Sequence, residues 1–156
     1  GAMVNRVGAS PEVANCRFVD NEAQWRGGAL QIDYGSGPQI FDCTFERNRS
    51  GGHGGGAFLE SVAAQLGVVS TRFDRCAFVG NSAALRGGGV ANSDGGNPAV
   101  SKCTFTGNHA GKGGGGMSND YHVVVAVDDC SFDGNSASEG QTDIDTDASS
   151  RVETVS

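Results

Sequence analysis

The sequence predicts an all-β fold, a right-handed single-stranded parallel β-helix (a solenoid) of about five coils, each of three short strands. Three observations predict it. The five cysteines, at 16, 43, 76, 103 and 130, are separated by 27, 33, 27 and 27 residues, and a fixed period in this range marks a chain whose repeats stack as successive coils. Each cysteine opens the same phrase, Cys-x-Phe-x-x-Asn. Glycine supplies 26 of the 156 residues and proline only 3, and the glycines recur in clusters at one phase of the repeat, which argues for turns rather than for a disordered or collagenous chain.

Gly1, Ala2 and Met3 read as the remnant of a cleaved expression tag, residues 4–147 as the β-helix, and residues 148–156 as a tail or partial cap. Within the phrase, a spacing of two puts Cys and Phe on one face of a strand, with Arg17, Thr44, Ala77, Thr104 and Ser131 between them facing away. A third apolar residue stands three before each cysteine, at Val13, Ile40, Phe73, Val100 and Val127. It breaks strict alternation and so marks a corner between two strands. Glycines at 27–28, 54–56, 87–89 and 113–116 precede a third apolar segment. A helical reading fails, because apolar residues do not recur at three and four and because each glycine triplet would cost several kcal/mol of helix propensity.

Stacked at about 4.8 Å per coil, identical residues form ladders. Phe18, Phe45, Phe78, Phe105 and Phe132 form an internal aromatic column, and Cys16, Cys43, Cys76, Cys103 and Cys130 a thiol column beside it. Asn21, Asn48, Asn81, Asn108 and Asn135 fit a turn in which side-chain amides bond from coil to coil, since Asn tolerates the left-handed conformation and can satisfy turn backbone. The six extra residues of the second coil fall between Ala57 and Phe73, so residues 60–70 are expected to bulge outward, either as a neutral insertion or on a working face.

A net charge of −7, with 11 scattered basic residues, gives no reason to expect nucleic acid, whose phosphates need clustered Lys and Arg. The longest apolar run, residues 123–127, is strand-sized, so no membrane span is expected. Parallel side chains in identical rotamers do not offer the crossed geometry of a disulfide, and no Cys-x-x-Cys pair suggests zinc. The cysteines are expected to be buried free thiols.

Two columns carry candidate chemistry. Seventeen residues after each cysteine stand Asp33, Glu60, Ser93, Asp120 and Asp147. Stacked carboxylates repel unless a cation or a sugar hydroxyl network intervenes, and neighbouring Tyr34, Asp94, Tyr121 and His122 add surface suited to a glycan. Asp33, Tyr34, Glu60, Asp120, Tyr121 and His122 are therefore the candidate ligand-binding residues, against the alternative of a solvated turn that keeps coil edges soluble. Asp143, Asp145 and Asp147 alternate and could share one face of a terminal strand as a weak Ca²⁺ site; the competing reading is a disordered acidic tail. No other cofactor is expected. Ten residues after cysteine, Arg26, His53 and Arg86 share a turn column, with Lys112 shifted by one. A basic column could hold an acidic sugar or be exposed turn charge.

The phrase Cys-x-Phe-x-x-Asn-x-Ala, completed by Ala23, Ala83, Ala110 and Ala137 and followed by Gly-Gly-Ala or Gly-Gly-Gly, resembles the repeats of chlamydial polymorphic outer membrane proteins and related bacterial, pectin-lyase-like β-helix proteins. The resemblance spans residues 13–147. It implies a secreted or surface-displayed bacterial solenoid, an adhesive or display scaffold whose partner would be a polysaccharide or a host or cell-surface glycan. The scaffold also hosts polysaccharide lyases and glycoside hydrolases, so a carbohydrate-active enzyme working on an acidic polysaccharide is the alternative. Concentrated aspartates with Gly-His and Arg-x-Lys, or a Ca²⁺ carboxylate cluster with a catalytic base, are not found in the sequence, and no catalytic residue is assigned. Bare coil ends expose strand edges, which makes an end-to-end dimer a further expectation.

Overall fold

The computed structural model describes residues 1–61 and 70–155. Their short strands fall into four parallel sheets that wrap one core. The first sheet contains Met3–Asn5, Leu30–Asp33, Ala57–Glu60, Val90–Ser93, Met117–Asp120 and Ile144–Thr146. The second contains Glu12–Ala14, Gln39–Phe41, Arg72–Asp74, Ala99–Ser101, Val124–Asp128 and Arg151–Thr154. The Cys-x-Phe phrases supply the third: Arg17–Val19, Thr44–Glu46, Ala77–Val79, Thr104–Thr106 and Ser131–Asp133. Every strand pairs in parallel with its equivalent one coil away, as Phe78 does with Phe45 and Phe105.

The coil has one strand more than the three expected. A fourth sheet of two-residue strands, Glu22–Ala23, Arg49–Ser50, Ser82–Ala83, His109–Ala110 and Ser136–Ala137, follows the asparagine column. The cause lies at the corner. The left-handed residue is not the asparagine but the one before it, Asp20, Arg47, Gly80, Gly107 and Gly134, with φ between 50° and 62°. The chain therefore turns before Asn and leaves the next residues extended and free to pair. A second left-handed corner stands directly before each cysteine, at Asn15, Asp42, Arg75, Lys102 and Asp129, which explains why the apolar pattern skips from minus three to Cys.

The ladders form as the spacing requires. Successive rings of the Phe18, Phe45, Phe78, Phe105 and Phe132 column stack at 4.7–4.8 Å, nearly parallel. Phe73 packs its ring edge against Phe78 at 5.5 Å. The rest of the interior is Leu30, Ile32, Ile40, Leu59, Val90, Val100, Met117, Val123, Val125 and the central thiols. Each of the inner asparagines, Asn48, Asn81 and Asn108, donates its Nδ2 to the Oδ1 of the next and to a phenylalanine carbonyl of the coil before, while its Oδ1 also accepts the preceding asparagine's backbone N–H. A core this narrow closes only if the backbone can come close. Gly54 turns with φ +67°, and a Cβ on Gly55 would sit 2.3 Å from the Gly88 carbonyl of the next coil.

Both flanking segments join the helix. Met3 begins the first strand, and Arg151–Thr154 extends the second sheet by pairing with residues 124–127. The acidic stretch after Asp143 is likewise no disordered tail. Ile144–Thr146 pairs with Met117, Ser118 and Asn119 because Ile144 continues the inward column of Leu30, Ala57, Val90 and Met117. The six-residue insertion leaves the second sheet in register, since Arg72, Phe73 and Asp74 still pair with Gln39, Ile40 and Phe41. The outward bulge expected at residues 60–70 lies, over 62–69, outside the described residues.

Candidate functional site

The outer face of the first sheet brings together the two columns singled out in the sequence. Asp33, Glu60, Ser93 and Asp120 stand in register on successive strands, and the Asp147 backbone N–H bonds to the Asn119 carbonyl one coil on. Arg26 and His53 pair through their backbones in the glycine-rich turn, and Arg86 follows one coil later through its carbonyl, bonded by the Gly54 N–H. These turns sit beside the carboxylates. Arg26 reaches Glu60 at 2.7 Å, Arg86 reaches Asp120 at 2.8 Å and Asp145 at 3.1 Å, and Arg6 lies 3.3 Å from Asp33. The repulsion expected along the acidic column is thus answered by arginines across the turn. Both columns were visible in the sequence, but their pairing depends on side chains reaching over a neighbouring coil, which spacing alone does not specify.

Gly113 occupies the fourth position of the cationic column, where a Cβ would meet Asp145 Oδ2 at 2.1 Å. The gap left by the missing side chain is what lets Asp145 approach Arg86. Lys112 is one position earlier, as the sequence indicated, with its N–H on the Leu85 carbonyl.

Between the columns lies a cavity of about 240 Å³ lined by Arg26, His53, Phe58, Ser93, Asp120 and Tyr121, with Asp94 and Ala91 completing the wall. The Arg26 guanidinium carbon sits 4.7 Å from the Phe58 ring centre, an approach that favours a cation over the ring face. Phe58 is the residue the sequence reading missed; its place in an alternating strand was the available signal, since it must point opposite to Ala57 and Leu59. Of the candidate binding residues, Asp120 and Tyr121 line this cavity. Glu60 borders a smaller cleft with Ser36, Ser61 and Thr71. Asp33 is buried, bonded by Gln31 Nε2 through Oδ2, and its Oδ1 has no protein partner. Tyr34, Tyr121 and His122 all take left-handed backbone, with φ of 53°, 64° and 62°. This sends the two tyrosines outward, 52% and 62% exposed.

Burial raises the Glu60 and Asp120 carboxyls above their ordinary values, with Arg26 and Arg86 respectively pulling the other way. Burial lowers the His53 imidazole, and Arg26, Arg86 and Lys112 lower it further, so His53 is neutral near neutral pH. Asp147 behaves oppositely to its column. Burial pushes it up, but bonds accepted from the Tyr121 N–H, from Ser150 and from Ser149 outweigh that and hold it at about 2. Because the folded value lies below the unfolded 3.8, its stabilising contribution is present above pH 3.8 and lost as pH falls through about 2. Asp147→Asn should therefore flatten the acid limb of a stability–pH curve in that window and leave the neutral region unchanged in slope. An unchanged acid limb would remove the assignment.

Asp143, Asp145 and Asp147 do not converge. Asp143 Oδ1 accepts from Asn135 Nδ2 at 3.0 Å, where a sixth asparagine would continue the ladder. Asp145 serves Arg86, and Asp147 serves Tyr121 and Ser149. Among the described residues, no group of three or more His, Cys, Asp or Glu side chains is placed to share a metal ion. All five cysteines are unpaired; Cys43, Cys76 and Cys103 are buried and Cys16 is exposed.

No helix among the described residues is long and apolar enough to cross a membrane. Comparison with curated proteins and with solved structures gave no match. The family model described as the right handed beta helix region matches residues 1–150. With coils, ladders and parallel register all as that architecture requires, the chain belongs to the right-handed β-helix family.

Proposed function

We propose that the chain is a non-catalytic, glycan-binding scaffold from a secreted or surface-displayed bacterial protein, and that the outer face of the first sheet is its binding face. One observation carries the reading: the cavity joins an exposed aromatic ring, Tyr121, to charged groups that are already paired. Arg86 holds Asp120 at 2.8 Å, and Arg26 is shared between Glu60 and the Phe58 ring. Pre-oriented polar groups beside an aromatic plate suit a sugar, whose hydroxyls bond in the ring plane and whose C–H face stacks. The resemblance of the repeats to those of chlamydial polymorphic outer membrane proteins supports display at a surface.

A glycan array followed by calorimetry on the best ligand tests this. Tyr121→Ala is expected to weaken binding by about 1–3 kcal/mol, close to the loss seen when a stacking aromatic or other anchor is truncated. Binding unaffected by Tyr121→Ala and by Arg86→Gln would place the ligand elsewhere, and no binding to any glycan would end the reading.

A second reading rests on the raised Asp120 and Glu60 carboxyls, since a carboxyl raised by burial is what a general acid requires. On it, the same face would act on an acidic polysaccharide. Turnover that Asp120→Asn abolishes with folding intact would establish it in place of the first.

A further inference from the structure

Asp33, Glu60, Ser93 and Asp120 follow one another in register on the first sheet, and each carboxylate among them has its own arginine. Arg6 lies 3.3 Å from Asp33, Arg26 2.7 Å from Glu60 and Arg86 2.8 Å from Asp120. The step at Ser93 departs from this pattern on both sides. Ser93 brings no carboxylate, and the turn that serves its coil brings no arginine. In the turn column, Arg26 and Arg86 each reach the carboxylate of the following coil. His53, paired with Arg26 through the backbone, holds the same position one coil on, so the coil it serves is that of Ser93. Ala91, in register between Phe58 and Ser118, is short as well. The cavity of about 240 Å³ is the space these short side chains leave, and His53, Ala91 and Ser93 all line it. The His53 ring stands 6.3 Å from the Phe58 ring, tilted by 56°.

We propose that this gap binds the carboxylate of an acidic sugar, which takes the place in the column that Ser93 does not fill and pairs with the His53 imidazole. In this assignment, which rests on the glycan reading of the same cavity, the sugar ring stacks on Tyr121 while its carboxylate completes the column between Glu60 and Asp120. Arg26 and Arg86 are committed to those two side chains, which leaves the imidazole to answer the new charge. The Ser93 hydroxyl, which donates to Asp94 Oδ2 at 3.1 Å, turns to donate to the ligand. Asp94 itself is exposed, so water and salt screen its repulsion. Burial and the charges of Arg26, Arg86 and Lys112 lower the His53 imidazole, while Asp94 and Asp120 are the anions of the cavity wall. A carboxylate against the ring raises it again. His53 therefore takes a proton from solvent on binding, and affinity for the acid rises as pH falls between the bound and the free values.

The test is calorimetry with a glucuronate-containing tetrasaccharide and with sialyllactose, each as the free acid and as its methyl ester. The two acids share the carboxylate and tell a uronic from a sialic source. At least one acid is expected to bind about 10- to 100-fold more tightly than its ester, as a charge-assisted hydrogen bond provides. That comparison needs no variant. Ser93→Asp supplies the carboxylate from within the chain, at a position where the neighbouring coils already carry Glu60 and Asp120, so the coil is kept. It should reduce the acid to the affinity of the ester. Without any ligand, it should also raise the His53 titration followed by NMR, with His109 as an unmoved reference. Equal binding of acid and ester, or binding confined to glycans without a carboxylate, overturns the assignment and leaves the glycan reading in place. A His53 titration that Ser93→Asp does not raise overturns it as well, and no binding of any glycan removes both.

Discussion

Phe78→Ala is expected to destabilise the protein by about 3–5 kcal/mol, the largest single effect in the chain. Phe78 is completely buried, lies 4.8 Å from both Phe45 and Phe105, and receives the edge of Phe73 at 5.5 Å. The coils on either side cannot close over the missing ring, because their spacing is set by parallel backbone ladders on four sides. The cavity term therefore adds nearly in full to the lost transfer free energy. Urea unfolding followed by circular dichroism measures it, with the slope checked, since a solenoid weakened at a central coil loses cooperativity and its coils in stages. Phe18→Ala, in the first coil with its ring covered on one face only by Phe45, should lose roughly half as much. A Phe78 effect below about 1 kcal/mol would mean that the rings do not form the core.

Asn81→Ala is expected to follow closely. Asn81 is fully buried, and its Oδ1 accepts both the backbone N–H and the Nδ2 of Asn48, while its Nδ2 serves the Phe45 carbonyl and Asn108 Oδ1. Alanine strands two donors and a carbonyl in a fully buried site. At about 1–3 kcal/mol for each stranded group, with partial relaxation, the loss is on the order of 4 kcal/mol. Asn81→Asp separates the two halves of this role: it keeps the acceptor for Asn48 and loses the donations to Phe45 and Asn108. Amide hydrogen exchange gives the local readout. In Asn81→Ala the Asn48 N–H should exchange far faster than its neighbours in the third sheet, and uniform protection across that coil would contradict the ladder's role.

Asp143 shows how the ladder ends. Asn135 has no sixth asparagine above it, and its Nδ2 finds Asp143 Oδ1 eight residues on in the chain. In the sequence Asp143, Asp145 and Asp147 look alike, spaced by two on one strand face. In the folded chain one closes the asparagine column, one pairs with Arg86 and one caps the turn at Tyr121. Their identical spacing says nothing of this, because each partner arrives from a different coil.

The sequence by itself determined the repeat, the parallel stacking and the inward columns. Period 27 with Cys, Phe and Asn at fixed offsets leaves few other ways to bury the same residues in every copy, and side-chain direction in a strand follows from spacing alone. It also located both charged columns. Only the tertiary structure decided the corners and the site. Gly80, Gly107 and Gly134, with Asn15, Asp20, Asp42 and Asp129, favour the left-handed corners, but Arg47, Arg75 and Lys102 in the same places do not, and the fourth strand that follows the corner at Asp20 and its equivalents is only two residues long and carries no periodicity of its own. The ion pairs of Arg26 with Glu60 and Arg86 with Asp120 join residues 34 positions apart. Such pairing depends on how far a side chain reaches across a coil, and on the absence of a side chain at Gly113. Those are distances between coils, and a linear pattern fixes which residues stack but not how far their side chains extend over one another.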